Sequence, residues 1–220
     1  QTGQSASNNK KKEIEEIYSF QNLGNLDEAW AAPINVKGQK FILFQSPKAT
    51  NKYGTVGFTG VYDIRRNQWF HIFGWDADNG VPTLWPGVSV FNLWGKTFVG
   101  GKGKIYELDN NTYTNDGKTQ RAYIKTGHYD SQGPMRVDAV RMTIKRGVGT
   151  YEKNPKIMFR TNPDNKGFGN VQYRELGFTG AENLTLEFGN QGTASTWQFE
   201  IAMTEDCPFE LRRLQIDATK

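Results

Sequence analysis

The sequence predicts an all-β protein with propeller-like antiparallel blades first and a β-sandwich-like C-terminal region after them. Three observations carry this. Short apolar pulses at 60–64, 97–99 and 105–108 sit between glycine, asparagine and charged turn residues, the punctuation of tight antiparallel returns. Twenty-four glycines stand against 8 prolines, which suits many tight turns. Beyond Gly117 the runs lengthen and apolar residues alternate more cleanly with polar ones, the mark of half-buried antiparallel strands.

Taken in order, residues 1–17 are polar, end in K-K-K-E-I-E-E-I and read as a flexible segment or a short helical lead-in. Residues 18–118 form the propeller-like part. The run F-I-L-F at 41–44 is continuously apolar and so is expected to be buried on both faces. Residues 57–62 and 70–73 flank D-I-R-R-N-Q as one hairpin, and 88–94 and 96–99 flank Gly95 as another. One stretch before Gly117, residues 26–32, admits a 3.6-residue period.

The strand style changes near residues 117–119, so 119–220 is read as the sandwich-like region. Val140, Met142 and Ile144 share one face against Arg141, Thr143 and Lys145. Leu184, Leu186 and Phe188 repeat the pattern, as do Trp197, Phe199, Ile201 and Met203 against Gln198 and Glu200. In the last run, Phe209 and Leu211 have one parity and Leu214 and Ile216 the other, which places a bulge at Arg212-Arg213.

Composition bounds the function classes. With 14 Phe, 9 Tyr and 6 Trp in 220 residues, a substantial core is available in spite of a mean hydropathy of −0.68. No apolar run is long enough to span a membrane as a helix. The opening residues lack the apolar stretch of a secretory signal, and a start at Gln1 suggests a fragment or processed form. A single cysteine, Cys207, excludes an internal disulfide and argues against a cysteine metal site. The net charge of +4 is mild. It is unevenly spread, with Lys10–Lys12 in the tail and Arg136, Arg141, Lys145 and Arg146 close together; a solvated strand face accounts for the second group.

Candidate chemistry is sparse. Asp76-Ala77-Asp78-Asn79-Gly80 begins like a calcium loop, but the glycine is fifth and Gly87 occupies the twelfth place, so a hairpin turn is expected. The adjacent carboxylates of Asp27-Glu28 and Glu205-Asp206 point to opposite faces if extended. Gly100-Gly101-Lys102-Gly103-Lys104 lacks the Ser/Thr of a phosphate loop and reads as a β-turn. Cys207 reads as an inert thiol and His71 as a structural or surface residue. Trp69, Trp75, Trp85 and Trp94 could stack a ligand, although β-cores use large aromatics in any case. No catalytic, metal or cofactor motif emerges, and the chain is expected not to be an enzyme.

Several segments in fixed order resemble one family: A-W-A-A-P-I-N-V-K-G-Q-K-F-I-L-F-Q-S-P, V-Y-D-I-R-R-N-Q-W, and V-G-G-K-G-K-I-Y-E-L-D-N-N-T-Y-T-N-D-G, followed by Arg121. M-T-I-K-R-G-V-G-T, N-P-K-I-M-F-R-T-N-P-D-N-K-G-F-G and R-E-L-G-F-T-G continue it. From about Ala29 to the C-terminus, this order resembles the C-terminal half of the packaged-DNA stabilisation proteins of short-tailed bacteriophages, the tail-hub or nozzle proteins. The resemblance implies a virion structural protein, made in the host cytoplasm, that assembles as a ring, as a hexamer, under the portal and its adaptor ring. Such a ring closes the channel over packaged DNA until a tail needle or plug is released, and offers a docking surface to tailspikes or fibres. Lys102, Lys104, Arg141, Lys145 and Arg146 are the candidate channel residues, because phosphate contacts are sequence-independent and a modest positive lining holds DNA yet releases it. A carbohydrate-binding β-sandwich module is the alternative; it requires two or more Trp or Tyr side chains on one exposed platform. A propeller glycosidase would need two carboxylates about 5–10 Å apart in a cleft, and no pair is nominated.

Overall fold

A computed structural model describes residues 21–22, 27–36, 38–51, 56–109, 111–150, 152–181 and 185–219. The expected polar segment 1–17 and Leu184 lie outside the described residues. All regular structure among them is β, and every pairing between strands is antiparallel. The chain divides into two compact units, Gln1–Asn110 and Asn111–Lys220, a few residues before the change of strand style read near 117–119.

The first unit holds β1 (Gln21–Asn22), β2 (Trp30–Val36), β3 (Gln39–Asn51), β4 (Val56–Asp63), β5 (Gln68–His71), β6 (Gly74–Asp76), β7 (Val81–Thr83), β8 (Ser89–Leu93), β9 (Lys96–Gly101) and β10 (Lys104–Glu107). Strands β2 to β5 form a meander in chain order, β6 and β7 a small hairpin, and β8 to β10 a second meander. These are the propeller-like blades. Each return has local chemistry that enforces it. At the β4–β5 turn, the buried Asp63 accepts from the Arg65 and Arg66 amides at 2.9 and 3.0 Å. At the β8–β9 turn, Trp94 and Gly95 both take positive φ, 51° and 73°, the backbone of a two-residue hairpin loop whose twist matches its strands. Asp76 accepts from the Asp78 and Asn79 amides, which makes 76–80 a solvated hairpin turn.

Two expectations for this unit are corrected. The 3.6-residue period over 26–32 gives way to β2 from Trp30 onward, where Trp30, Ala32, Ile34 and Val36 are the more buried residues of an alternating strand. Pro33 fits there because β2 is an edge strand, paired only with β3, and needs one donor fewer. The apolar run 41–44 is buried on one face only. Phe41 and Leu43 enter the core, while Ile42 is 39% exposed, because the blade has a single packed face. That core is small: Ile34, Phe41, Leu43 and Val61, rimmed by Trp30, Val36, Ile72, Trp85 and Val90. A buried Gln45 stitches it, accepting from Trp30 Nε1 at 3.0 Å and donating to Thr59 Oγ1 at 3.1 Å and the Trp85 carbonyl at 2.9 Å. The second meander is sewn to β2 where Asn92 donates to the Pro33 carbonyl and the Asn35 amide donates to Thr97 Oγ1.

The second unit holds β11 (Ala122–Lys125), β12 (Tyr129–Ile144), β13 (Lys156–Pro163), β14 (Gln172–Glu175), β15 (Thr185–Met203) and β16 (Leu211–Thr219). Strand β15 is the spine. Its first two-thirds pair with β12, and its end lies between β11 and β13. Register shifts between Val137 and Ala139 and between Asp130 and Met135 bend β12, as bulges do. The β13–β14 end then folds over the start of β15: Phe159 meets Phe188 with centroids 4.6 Å apart, Gln172 donates to Gln191 at 3.0 Å, and Arg174 donates to the Glu187 carbonyl at 3.0 Å. One coiled sheet thereby packs on itself in the manner of a sandwich.

The core of this unit is large and aromatic. Val140, Met142 and Ile144 are buried as their parity predicts, together with Ile157, Phe159, Leu176, Phe188, Trp197, Phe199 and Ile201. Trp197 is fully buried, lies parallel to Phe199, and donates its indole N–H to the Ala194 carbonyl at 3.2 Å. The bulge read at Arg212-Arg213 is present: Thr143 faces Arg213 and Ile144 faces Leu211, which leaves Arg212 as the extra residue. One feature departs from the sequence pattern. Glu200, on the polar parity of β15, is buried, and so is Ala202. The end of β15 is covered on both faces because it runs between two strands under charged and aromatic side chains.

Candidate functional site

The most organised polar site in the described residues is built around Glu200. Pairing places Lys125, Glu200 and Arg160 in one row across β11, β15 and β13. Glu200, with its side chain 3% exposed, receives Arg121 at 2.8 Å, Arg160 at 2.7 Å and Lys125 at 3.3 Å. Burial alone would raise the carboxyl pKa. The Arg160 hydrogen bond and the charges of Arg160, Lys125 and Arg121 outweigh burial and hold it below the usual carboxylate value. Three cations meet one carboxylate, so the site carries a net charge of two positive.

Local structure sets each member in place. Thr126 exchanges bonds with Phe199, its amide donating to the carbonyl at 2.9 Å and its hydroxyl accepting from the amide at 3.0 Å, which fixes the end of β11 against β15. Asp164 accepts from the Ser195 and Thr196 amides at 2.8 and 3.2 Å; those two bonds are the main reason its carboxyl pKa is lowered. Asn162 accepts from the Gly167 amide and Thr161 from the Gly169 amide, both at 2.9 Å. The loop after β13 therefore turns back and sets Phe168 beside Arg160 (4.7 Å to the ring centroid) and Lys125 (5.5 Å). Lys125 also lies 5.2 Å from the Tyr123 ring, within range of a cation–π attraction.

The five candidate channel residues are divided between the two units. Lys102, in the β9–β10 turn, and Lys104, opening β10, are exposed in the first unit; the other three belong to the second. Arg141 is paired with Glu187 at 2.8 Å and with Asp217, so its charge is answered within the sheet. Lys145 has an exposed side chain, with its amide donating to the Glu210 carbonyl. Arg146 donates to the Leu176 and Glu175 carbonyls, both at 3.2 Å, and buttresses the segment after β14.

The remaining candidates take structural places. Cys207 is buried and its thiol is pushed up to about 11, chiefly by burial, far from reactive thiolate behaviour. His71 rests edge-on against Phe58 at 4.8 Å, and burial on that side lowers its pKa. The tryptophans are dispersed: Trp85 packs on the first core, Trp69 tilts against Tyr62 at 5.1 Å, Trp75 is half-buried, and Trp94 is 85% exposed at its turn. Among the described residues no group of three or more His, Cys, Asp or Glu is placed to hold a metal ion, and no helix is long and apolar enough to cross a membrane.

The sequence reading did not single out Glu200, Lys125 or Arg160. Their signal was faint: a carboxylate on the polar parity of β15, with Ala202 two places on where a solvated strand would carry a polar residue. Its partners lie 79, 75 and 40 positions away, and only the fold gathers them.

No protein-family model matches the sequence, and no curated protein matches it. Among solved structures, one similar chain is a glycoside hydrolase family 43 arabinoxylan arabinofuranohydrolase from Bacillus subtilis, at 11% identity and a TM-score of 0.30, covering 84% of this chain and 40% of that one. Another is an exo-beta-1,3-galactanase from Phanerochaete chrysosporium, at 9% identity and a TM-score of 0.26, covering 85% of this chain and 56% of that one. This chain thus spans about half the length of either. At these scores neither similarity bears on what the present chain does.

Proposed function

We propose that the chain is a non-enzymatic structural subunit of a virion tail, a hub or nozzle that self-associates into a hexameric ring, docks beneath a portal and adaptor ring and retains packaged DNA until a needle or plug is released. The observation that carries this reading is the outer face of the second blade in the first unit. Phe91 and Leu93 of β8 and Ile105 of β10 are exposed there, Ile105 at 69%, with Trp94 projecting from the turn. Phe91 stacks on Phe98 at 5.3 Å, so this side is an apolar patch, crossed by the exposed Lys96–Glu107 ion pair. A surface of this kind suits a subunit that covers it on assembly. The ordered sequence resemblance supplies the kind of assembly.

The electrostatics favour retention without grip. Arg141 is answered by two carboxylates, so the candidate basic residues would make a thin contribution that holds DNA weakly and in a salt-dependent way. Tailspikes or fibres would dock on the outer surface of the ring. Light scattering on the chain, alone and mixed with a short-tailed-phage portal–adaptor complex, tests the proposal. A ring mass, or co-elution with the portal complex, is expected; a monomer that ignores the portal complex would contradict it.

A further inference from the structure

We infer that the outer face of the second blade packs on the outer face of the first blade of another copy of this chain, so that copies join head to tail. The inference rests on the ring reading for the need to cover the second blade, and adds what covers it. Strand alternation is the first ground. Phe41, Leu43 and Val61 point into the small core, so the residues between them face the other way. Pairing sets Pro33, Ile42, Tyr62 and Trp69 in one row across β2, β3, β4 and β5. Ala31, Phe44, Gly60 and His71 form the next row. Only His71 among them could carry a positive charge, and burial lowers its pKa, which keeps it neutral at pH 7. Charge begins one row further out, at the exposed Lys40.

This face is flat as well as apolar. At Gly60 a Cβ would stand 2.9 Å from the Phe58 ring and 3.3 Å from that of Trp69; its absence lets both rings lie across β4. Ala31 and Pro33 are exposed, Ile42 is 39% exposed, and Phe44, Tyr62 and Trp69 are half-buried. A sheet face of this kind suits packing against a second sheet about 10 Å away. The chain already makes one such contact: Val90 of the second blade packs on the core face of the first. Two apolar faces turn away from that contact, this one and the patch of Phe91, Leu93 and Ile105. A second copy can bring them together. Contact between two different faces repeats in one direction, and closes into a ring where the rotation per copy allows. Charge permits it. The two rows hold none, and the Lys96–Glu107 pair on the other face is answered within itself at 2.8 Å, so covering both strands no lone charge.

Sedimentation velocity tests this on the native chain, on Ile42→Glu, on Ile105→Glu and on an equal mixture of the two variants, each alone and with the portal–adaptor complex. Each variant spoils one face, so each by itself should self-associate about tenfold more weakly or worse. In the mixture, the intact second blade of Ile42→Glu can still seat the intact first blade of Ile105→Glu. A pair is expected, and growth stops there because both remaining faces carry a carboxylate. Pro33→Glu, at an exposed edge-strand position, replaces Ile42→Glu where that variant folds poorly. Native-like assembly of the first-blade variant, or a mixture that yields no pair, overturns this contact and leaves the ring reading standing. A native chain that stays monomeric alone and with the portal complex overturns both. Head-to-tail association that ignores the portal complex upholds the contact and overturns the hub reading.

Discussion

The two units solve the same problem, burying one face of an antiparallel sheet, with unequal resources. The second uses long bulged strands that coil until the sheet packs on itself, so Trp197, Phe159, Phe188 and Phe199 share one interior. The first, apart from the 13-residue β3, uses shorter strands. It gathers Ile34, Phe41, Leu43 and Val61 into a small cluster behind a rim of half-buried side chains and leaves Phe91, Leu93, Trp94 and Ile105 facing out. The second unit also leaves Ile124, Tyr129, Tyr173 and Phe178 exposed, so the contrast lies in the size of the interior each unit closes.

The contrast is broken most severely at Trp197. Trp197→Ala should destabilise the second unit by about 3–5 kcal/mol, with loss of its near-ultraviolet circular dichroism at a temperature the native chain tolerates. Glu200→Ala leaves Arg121 and Arg160 half-enclosed without their shared carboxylate and should cost about 3 kcal/mol in chemical denaturation. Leu43→Ala removes a fully buried side chain from the smaller core and should cost about 2–3 kcal/mol, seen in the first unit's unfolding with that of the second unchanged.

A pH series sharpens the same comparison. The Glu200 carboxyl is held below its ordinary value in the folded chain. Its contribution is therefore complete above the unfolded value of about 4.3 and is lost as pH falls through the lower folded value. The second unit's melting temperature should drop in that acid window, and the drop should be shallower in Glu200→Gln. The mildest change is Trp94→Ser. It should alter folding stability by no more than about 0.5 kcal/mol while weakening self-association, read by sedimentation.

How much of this was legible in the sequence varies with the range of the interaction. Hairpins at Gly95 and at D-I-R-R-N-Q, the buried parity of Val140, Met142 and Ile144, and the bulge at Arg212 all follow from residues within a few places of one another. Single-sided burial at 41–44 did not, because a continuous apolar run has the same appearance whether one face is covered or two. Glu200 was the harder case. Strand alternation assigns it to a polar face, and only the arrival of β11 and β13 on either side of β15 turns that face into a buried ion cluster. The candidate basic residues were chosen by local charge alone, which gives no sign that Arg141 would be answered by Glu187 and Asp217.

Amide hydrogen exchange followed residue by residue, in the free chain and in the chain bound to a portal–adaptor complex, tests the central claim most directly. Strands β12, β13 and β15 are expected to be slow to exchange already in the free chain, and β8 to β10 to exchange faster there and slow markedly on assembly. Equal protection of the two units in the free chain, or no change in β8 to β10 on mixing, would contradict it.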